Sequence, residues 1–229
     1  MADDKPTFHH MNAELEIPYS LVNHLRNPMN DPQRPFLSPP SLQATGPYGK
    51  APTLFTSKKD GERYIPESSA IATYLIRTFD TEDKFGLKNG DWIRDEMLMS
   101  LAQTNLQRAG MVMLMLDFNI LRNGEVEKLG ERAKRCDGPE LRMMLGQVER
   151  ELKEGPEGGW FMGKQPGRAD IMMEFPLSMI KHRNWVDLKT EFPALDAWLE
   201  RVYNRDGWRR GIEKGNGYDL SVFPQRPHL

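Results

Sequence analysis

The chain has 229 residues, enough for one large or two modest domains that each bury a core. Hydrophobic residues at 38% and charged residues at 28% describe a globular protein, and no apolar run approaches the roughly 18 residues of a membrane span. Thirty-one basic residues are interspersed with 33 acidic ones, and a net charge of −2 leaves no electrostatic footprint for nucleic acid. The polar, acidic start, Met1-Ala2-Asp3-Asp4-Lys5, is unlike a secretory leader, so the expected address is the cytoplasm. The single cysteine, Cys136, rules out a disulfide framework and every CxxC-type redox or zinc signature, and it reads as a packing residue.

Residues 7–11 and 19–24 read as short strands. A proline-rich stretch follows from Pro28 to Pro47, where Pro32, Pro35, Pro39 and Pro40 forbid long regular structure. Residues 53–56 and 63–65 predict a hairpin around Asp60-Gly61. A helix is expected over 68–78, with Ile71, Tyr74 and Leu75 at helical spacing. Residues 1–80 thus form a mixed α/β unit, and the polar residues 81–90 read as a linker. From 91 to 229 helical periodicity dominates. Ile93, Met97, Leu101, Leu106, Ala109, Met113 and Leu116 mark the apolar stripe of a long helix beginning near Asp91. Leu141, Met144, Leu145, Val148 and Leu152 mark another, opened by Pro139 and closed by Gly155. A third runs over about 168–182 through Pro176. A fourth starts at Phe192-Pro193 and carries Leu195, Trp198, Leu199 and Val202.

Three segments resemble glutathione transferases, most closely their fungal branch. Gly49-Lys50-Ala51-Pro52-Thr53-Leu54 is similar to the family's loop leading to a cis-proline before the third strand. Glu67-Ser68-Ser69-Ala70-Ile71-Ala72-Thr73-Tyr74-Leu75 resembles its Glu-Ser-x-Ala-Ile-x-x-Tyr-Leu helix start. Gly163-Lys164-Gln165-Pro166-Gly167-Arg168-Ala169-Asp170-Ile171 resembles the core folding motif of its helical domain, with Gly167 where the family has Ser or Thr. The fold implied is a thioredoxin-like α/β domain followed by an all-α domain.

The resemblance implies a glutathione site at Lys50, Ala51, Pro52, Glu67 and Ser68. A carboxylate sits well at a helix N-terminus, where unpaired N–H groups and the macrodipole favour negative charge. Ser68 would add a hydroxyl there and Glu67 would accept from the ligand's ammonium, together gripping the γ-glutamyl end. Taken alone, Ser68 reads as a helix cap. A cis bond at Pro52, which the resemblance implies, would leave the Ala51 main chain to pair with the cysteinyl backbone. Lys50 either meets the glycyl carboxylate or is a solvated surface lysine. The activity implied is transfer of a glutathione thiolate to a small hydrophobic electrophile, with glutathione as co-substrate and no metal or cofactor, in a detoxification setting. A homodimer is compatible with it.

One family element is not legible. The family places a helix of about three turns between its first two strands, and the catalytic hydroxyl or thiol sits where that helix starts. Here only Asn12 to Pro18 separate the strand cores, fewer than the roughly 10–12 residues a parallel crossover needs. No Ser, Thr, Tyr or Cys occurs between His9 and Pro18. Asn12 is the one residue there suited to a neutral hydrogen bond to a thiolate, His10 would serve only when protonated, and Tyr19 reads as a core-facing strand residue. No catalytic residue is assigned. Besides an active transferase, the sequence therefore allows a weakened binding or scaffold protein of the same fold, or the truncated product of a transferase gene. The methionines between Met97 and Met115 read as core, as the lining of an electrophile pocket, or as both.

Overall fold

The computed structural model describes residues 7–8, 20–24, 27, 38–123 and 126–214. Two compact units emerge: Thr81–Asn204 form the larger, and the described residues up to Asp80 join residues 205–214 in the other.

The smaller unit is built on a four-stranded sheet in the order β2-β1-β3-β4. Strand β1 (Thr7–Phe8) pairs in parallel with β2 (Ser20–Leu21), in the register Thr7 to Ser20. It pairs antiparallel with β3 (Thr53–Phe55), which pairs antiparallel with β4 (Tyr64–Pro66). The expected hairpin is present. Its turn is a 3-10 segment, Lys58–Asp60, closed by Gly61 at φ 89°, a left-handed conformation that glycine adopts without steric cost. Ser57 caps that segment by accepting from the Asp60 N–H.

A short helix, α1 (Pro40–Gln43), lies within the proline-rich stretch, its proline at the helix start where no N–H is needed. Helix α2 (Ser68–Phe79) follows β4 directly. Ile71, Ala72, Leu75 and Ile76 form its buried stripe, and Ile71 and Leu75 close over Leu54 of β3. Leu21, Ile65, Tyr74 and Phe79 pack around that centre. Each fully buried aliphatic side chain there contributes about 1.5–3 kcal/mol. Helix α10 (Asp206–Lys214), late in the chain, also belongs to this unit.

The larger unit opens with α3 (Trp92–Ser100), capped by the Asp91 carboxylate accepting from the Arg94 N–H at 3.0 Å. The helix continues through a π segment, Leu101–Leu106, into α4 (Gln107–Asn123). In that segment the Gln107 N–H bonds the Ala102 carbonyl, five residues back. Leu106, Ala109, Met113 and Leu116 are buried as their spacing predicts, but Ile93 and Met97 are exposed. The buried stripe of α3 runs instead through Asp95, Leu98 and Met99 and continues to Ala102 of the π segment. The reason is electrostatic: Asp95 is drawn inside by Arg168, whose guanidinium bonds its carboxylate at 2.8 Å. A stripe containing a buried aspartate does not register as apolar periodicity.

Helix α5 (Val126–Arg132) and a second π segment, Ala133–Asp137, lead into α6 (Gly138–Lys153). All of Leu141, Met144, Leu145, Val148 and Leu152 are buried, as expected. Helix α7 (Arg168–His182) contains Pro176 and occupies the predicted span. After the short α8 (Leu188–Glu191), α9 (Pro193–Tyr203) buries Leu195, Trp198, Leu199 and Val202, again as expected. The start of α7 is held by Asp170. Its carboxylate accepts from the Gly167 N–H at 2.9 Å, the Phe161 N–H at 3.0 Å and the Trp198 indole N–H at 2.8 Å. Gly167 has no hydroxyl to complete the reciprocal arm of a capping box. A Cβ at that position would run into Met162, whose own Cβ would lie only 2.9 Å away.

Candidate functional site

The register of β3 on β4 brings two segments distant in sequence to one end of the sheet. Thr53 faces Pro66, so the residues just before Thr53 lie beside those just after Pro66. The former are Lys50, Ala51 and Pro52, and the Ala51–Pro52 peptide is cis. The latter are Glu67 and Ser68, where α2 begins. Lys50, Ala51, Pro52, Glu67 and Ser68 therefore lie at one sheet end.

Glu67 is the N-cap of α2 and sits at φ 71°, ψ 121°, an uncommon conformation for a residue with a side chain. Its side chain makes no capping bond, and it is exposed. The first intrahelical bond is Ile71 N–H to the Glu67 carbonyl at 3.0 Å. The N–H groups of Ser68, Ser69 and Ala70 therefore point out of the helix end without an acceptor inside it. Ser68 is not the cap, contrary to its simplest reading. It is the first helical residue, half-buried, and its hydroxyl has no partner among the described residues. The macrodipole adds a partial positive charge at the same place. An anion arriving there meets N–H donors, a hydroxyl and, from Glu67, an acceptor suited to an ammonium group.

The opposite side of the site is a loop fixed from below. Thr53, fully buried, donates its hydroxyl to the Lys50 carbonyl at 2.7 Å. Gly49 takes φ 55° and donates to the Gly46 carbonyl at 3.2 Å. Gly46 lies against the Tyr64 ring, where any Cβ would come within 2.6 Å of Cζ. Tyr48 stacks on that same ring at 6.1 Å with an interplanar angle of 6°. These contacts clamp residues 46–50 onto β4 and leave Lys50 and Ala51 exposed. Nothing in the sequence pattern pointed to Thr53 or Tyr64. The two glycines around Pro47-Tyr48 were the only available signal, and they mark a turn without naming what the turn packs on.

His10, Asn12 and Tyr19, together with the segment expected to lack a helix, lie outside the described residues. Cys136, expected to pack, is an exposed free thiol on the second π segment. The methionine-rich helix splits: Met99 and Met113 are buried, whereas Met97, Met111 and Met115 are exposed. Among the described residues no group of three His, Cys, Asp or Glu is arranged to hold a metal ion, and no helix is long and apolar enough to cross a membrane.

The sequence matches the family model of the glutathione S-transferase N-terminal domain over residues 11–83, and that of its C-terminal domain over residues 111–206. The chain belongs to the glutathione S-transferase family. Its fold is that of the family: a thioredoxin-like domain with a small sheet, followed by a helical domain. A glutathione S-transferase from Actinobacillus pleuropneumoniae superposes with a TM-score of 0.71 at 20% identity, over 95% of this chain and 99% of that one. The transferase URE2P8 from Phanerochaete chrysosporium, solved with oxidized glutathione, gives 0.68 at 22% identity, over 93% and 95%. Ure2p5 from the same organism, cocrystallized with 1-(S-glutathionyl)-2,4-dinitrobenzene, gives 0.63 at 16%, over 93% and 95%. No curated protein matches the chain in sequence.

Proposed function

We propose that this chain binds glutathione at the sheet end formed by Lys50, Ala51, Pro52, Glu67 and Ser68, and transfers its thiolate to a small hydrophobic electrophile. The observation that carries the reading is the register of Thr53 on Pro66, which sets the cis Ala51–Pro52 peptide against the open N-terminus of α2. The γ-glutamyl carboxylate is taken by the N–H groups of Ser68 and Ser69 and the Ser68 hydroxyl. Its ammonium is taken by Glu67. The cysteinyl backbone pairs with Ala51 as a short added strand would, and Lys50 meets the glycyl carboxylate as a charge partner. Support for the co-substrate and for an aromatic electrophile comes from the Phanerochaete relatives, whose bound ligands are oxidized glutathione and a dinitrophenyl conjugate.

A second reading, a glutathione-binding protein with weak chemistry, is favoured by one feature of the sequence. No Ser, Thr, Tyr or Cys stands between His9 and Pro18 to hydrogen-bond the thiolate. The strands β1 and β2 are shorter than the sequence leads one to expect, so eleven residues, 9–19, lie between them instead of seven. That length is within the roughly 10–12 a parallel crossover needs, and the second reading rests on the missing hydroxyl or thiol alone.

Isothermal titration with glutathione tests the common premise of both readings. Ser68→Ala should weaken binding by about 1–3 kcal/mol, the loss expected for a charge-assisted hydrogen bond. Unchanged affinity in that variant defeats the site. Turnover with an electrophile then separates the transferase from the binding protein, and inserting a relative's first helix after Met11 separates a truncated product from an evolved one.

A further inference from the structure

We infer that Thr53 is a positioning residue for the cysteinyl part of glutathione: its buried hydroxyl aims the Ala51 N–H at the ligand. The inference rests on the glutathione reading above. Thr53 has no exposed surface and donates to the Lys50 carbonyl at 2.7 Å. That bond turns the carbonyl inward, towards the sheet. The Lys50–Ala51 peptide is trans, the cis bond being the next one along. In a planar trans peptide the C=O and N–H point in opposite directions. Holding the Lys50 carbonyl inward therefore holds the Ala51 N–H outward. Ala51 is exposed there, and its main chain has no hydrogen bond to the described residues.

The alternative orientation is easily reached without the anchor. Lys50 is exposed, so its carbonyl can satisfy itself with water if the peptide plane rotates. Rotation of that one plane would carry the Ala51 N–H inward and remove it from the ligand, while leaving Glu67 and Ser68 untouched. The Thr53 hydroxyl thus selects one of two peptide orientations before any ligand arrives, and glutathione does not have to supply that ordering itself. The clamp of Tyr48 and Gly46 on Tyr64 holds the loop, but it does not fix this plane.

The test compares Thr53→Val with Thr53→Ser by glutathione titration and thermal melting. Valine keeps the buried volume and suits a strand but removes the donor. Serine keeps the donor but loses a buried methyl group. The account expects Thr53→Val to melt within about 2 °C of wild type yet bind glutathione about 5-fold to 10-fold more weakly. Thr53→Ser should show the reverse, a lower melting temperature with affinity within about 2-fold of wild type. This crossing of the two readouts is what a merely structural threonine cannot produce. Should Thr53→Val lose its fold, Thr53→Cys, close in volume and a poor donor, replaces it with the same expected loss of affinity. Wild-type affinity in a folded variant lacking the hydroxyl overturns the positioning role alone, as does a folded Thr53→Ser that binds as weakly as the valine variant. If the wild-type chain binds no glutathione, the reading of the site fails and the positioning role falls with it.

Discussion

Replacing Asp170 by alanine should destabilise the helical unit substantially. The residue is only 3% exposed, and its carboxylate accepts from the N–H groups of Gly167 and Phe161 and from the indole of Trp198, itself wholly buried. Each buried donor left without a partner costs about 1–3 kcal/mol, so the gross loss is about 3–9 kcal/mol. An offsetting gain exists. Burial pushes the Asp170 carboxyl up to about 6 against the pull of the Gly167 and Phe161 amides and the Trp198 indole. Set against an unfolded value of about 3.9, holding it ionised at neutral pH costs about 3 kcal/mol, which alanine removes. The donors win in all but the weakest case, where the two cancel, leaving a net destabilisation of about 0–6 kcal/mol centred near about 3, against the roughly 5–15 kcal/mol typical of a domain. Urea denaturation at pH 7 followed by tryptophan fluorescence measures it, since Trp160 and Trp198 pack edge to face at 6.5 Å beside this site. An alanine variant more stable than wild type would refute the claim that these donors depend on one carboxylate.

The same carboxyl predicts a pH profile. Its folded pKa lies above its unfolded one, so the folded state holds the extra proton between about pH 4 and 6. Stability should fall by about 3 kcal/mol as pH rises through that window and then level off; Asp170→Asn should abolish the slope, and an unchanged slope in that variant assigns it to other groups. Gly167→Ser should destabilise by about 1–2 kcal/mol, because crowding of Met162 outweighs the few tenths gained from a better cap. Adding Met162→Ala should recover part of that loss, and a Gly167→Ser protein more stable than wild type contradicts the argument. Formation of 1-(S-glutathionyl)-2,4-dinitrobenzene should run at least about 10-fold slower than in a transferase with a hydroxyl after its first strand, a barrier difference of about 1.4 kcal/mol. Equal turnover would require a thiolate stabiliser other than the residues of that loop.

The elements most legible in the sequence are those whose buried face is wholly apolar. Helices α6 and α9 bury the very residues their spacing selects, because nothing polar interrupts the stripe. Helix α3 was misphased because Asp95, paired with Arg168, occupies an inward position that an apolar count rejects. Helices α1, α8 and α10 are short or glycine-containing and offer too few turns for periodicity to speak. In the candidate site, Glu67, Ser68 and Pro52 were legible because each is a local signal at an element boundary. Thr53 was not, since its role depends on a carbonyl three residues back that only the folded loop turns towards it. In the sequence Gly167 shows only as a departure from the family's Ser or Thr. The side chain of Met162, five residues earlier, gives the departure a steric reason that only the folded loop shows.

The central claim is that glutathione docks where Ala51–Pro52 meets the start of α2, and amide chemical-shift mapping during a glutathione titration tests it most directly. The account predicts that the largest shifts fall on Ala51, Ser68 and Ser69, saturate together with one affinity, and leave the amides of α6 and α9 in place. Saturable shifts confined to other residues, or none at concentrations up to about 10 mM, well beyond the millimolar range of weak binding, would contradict it.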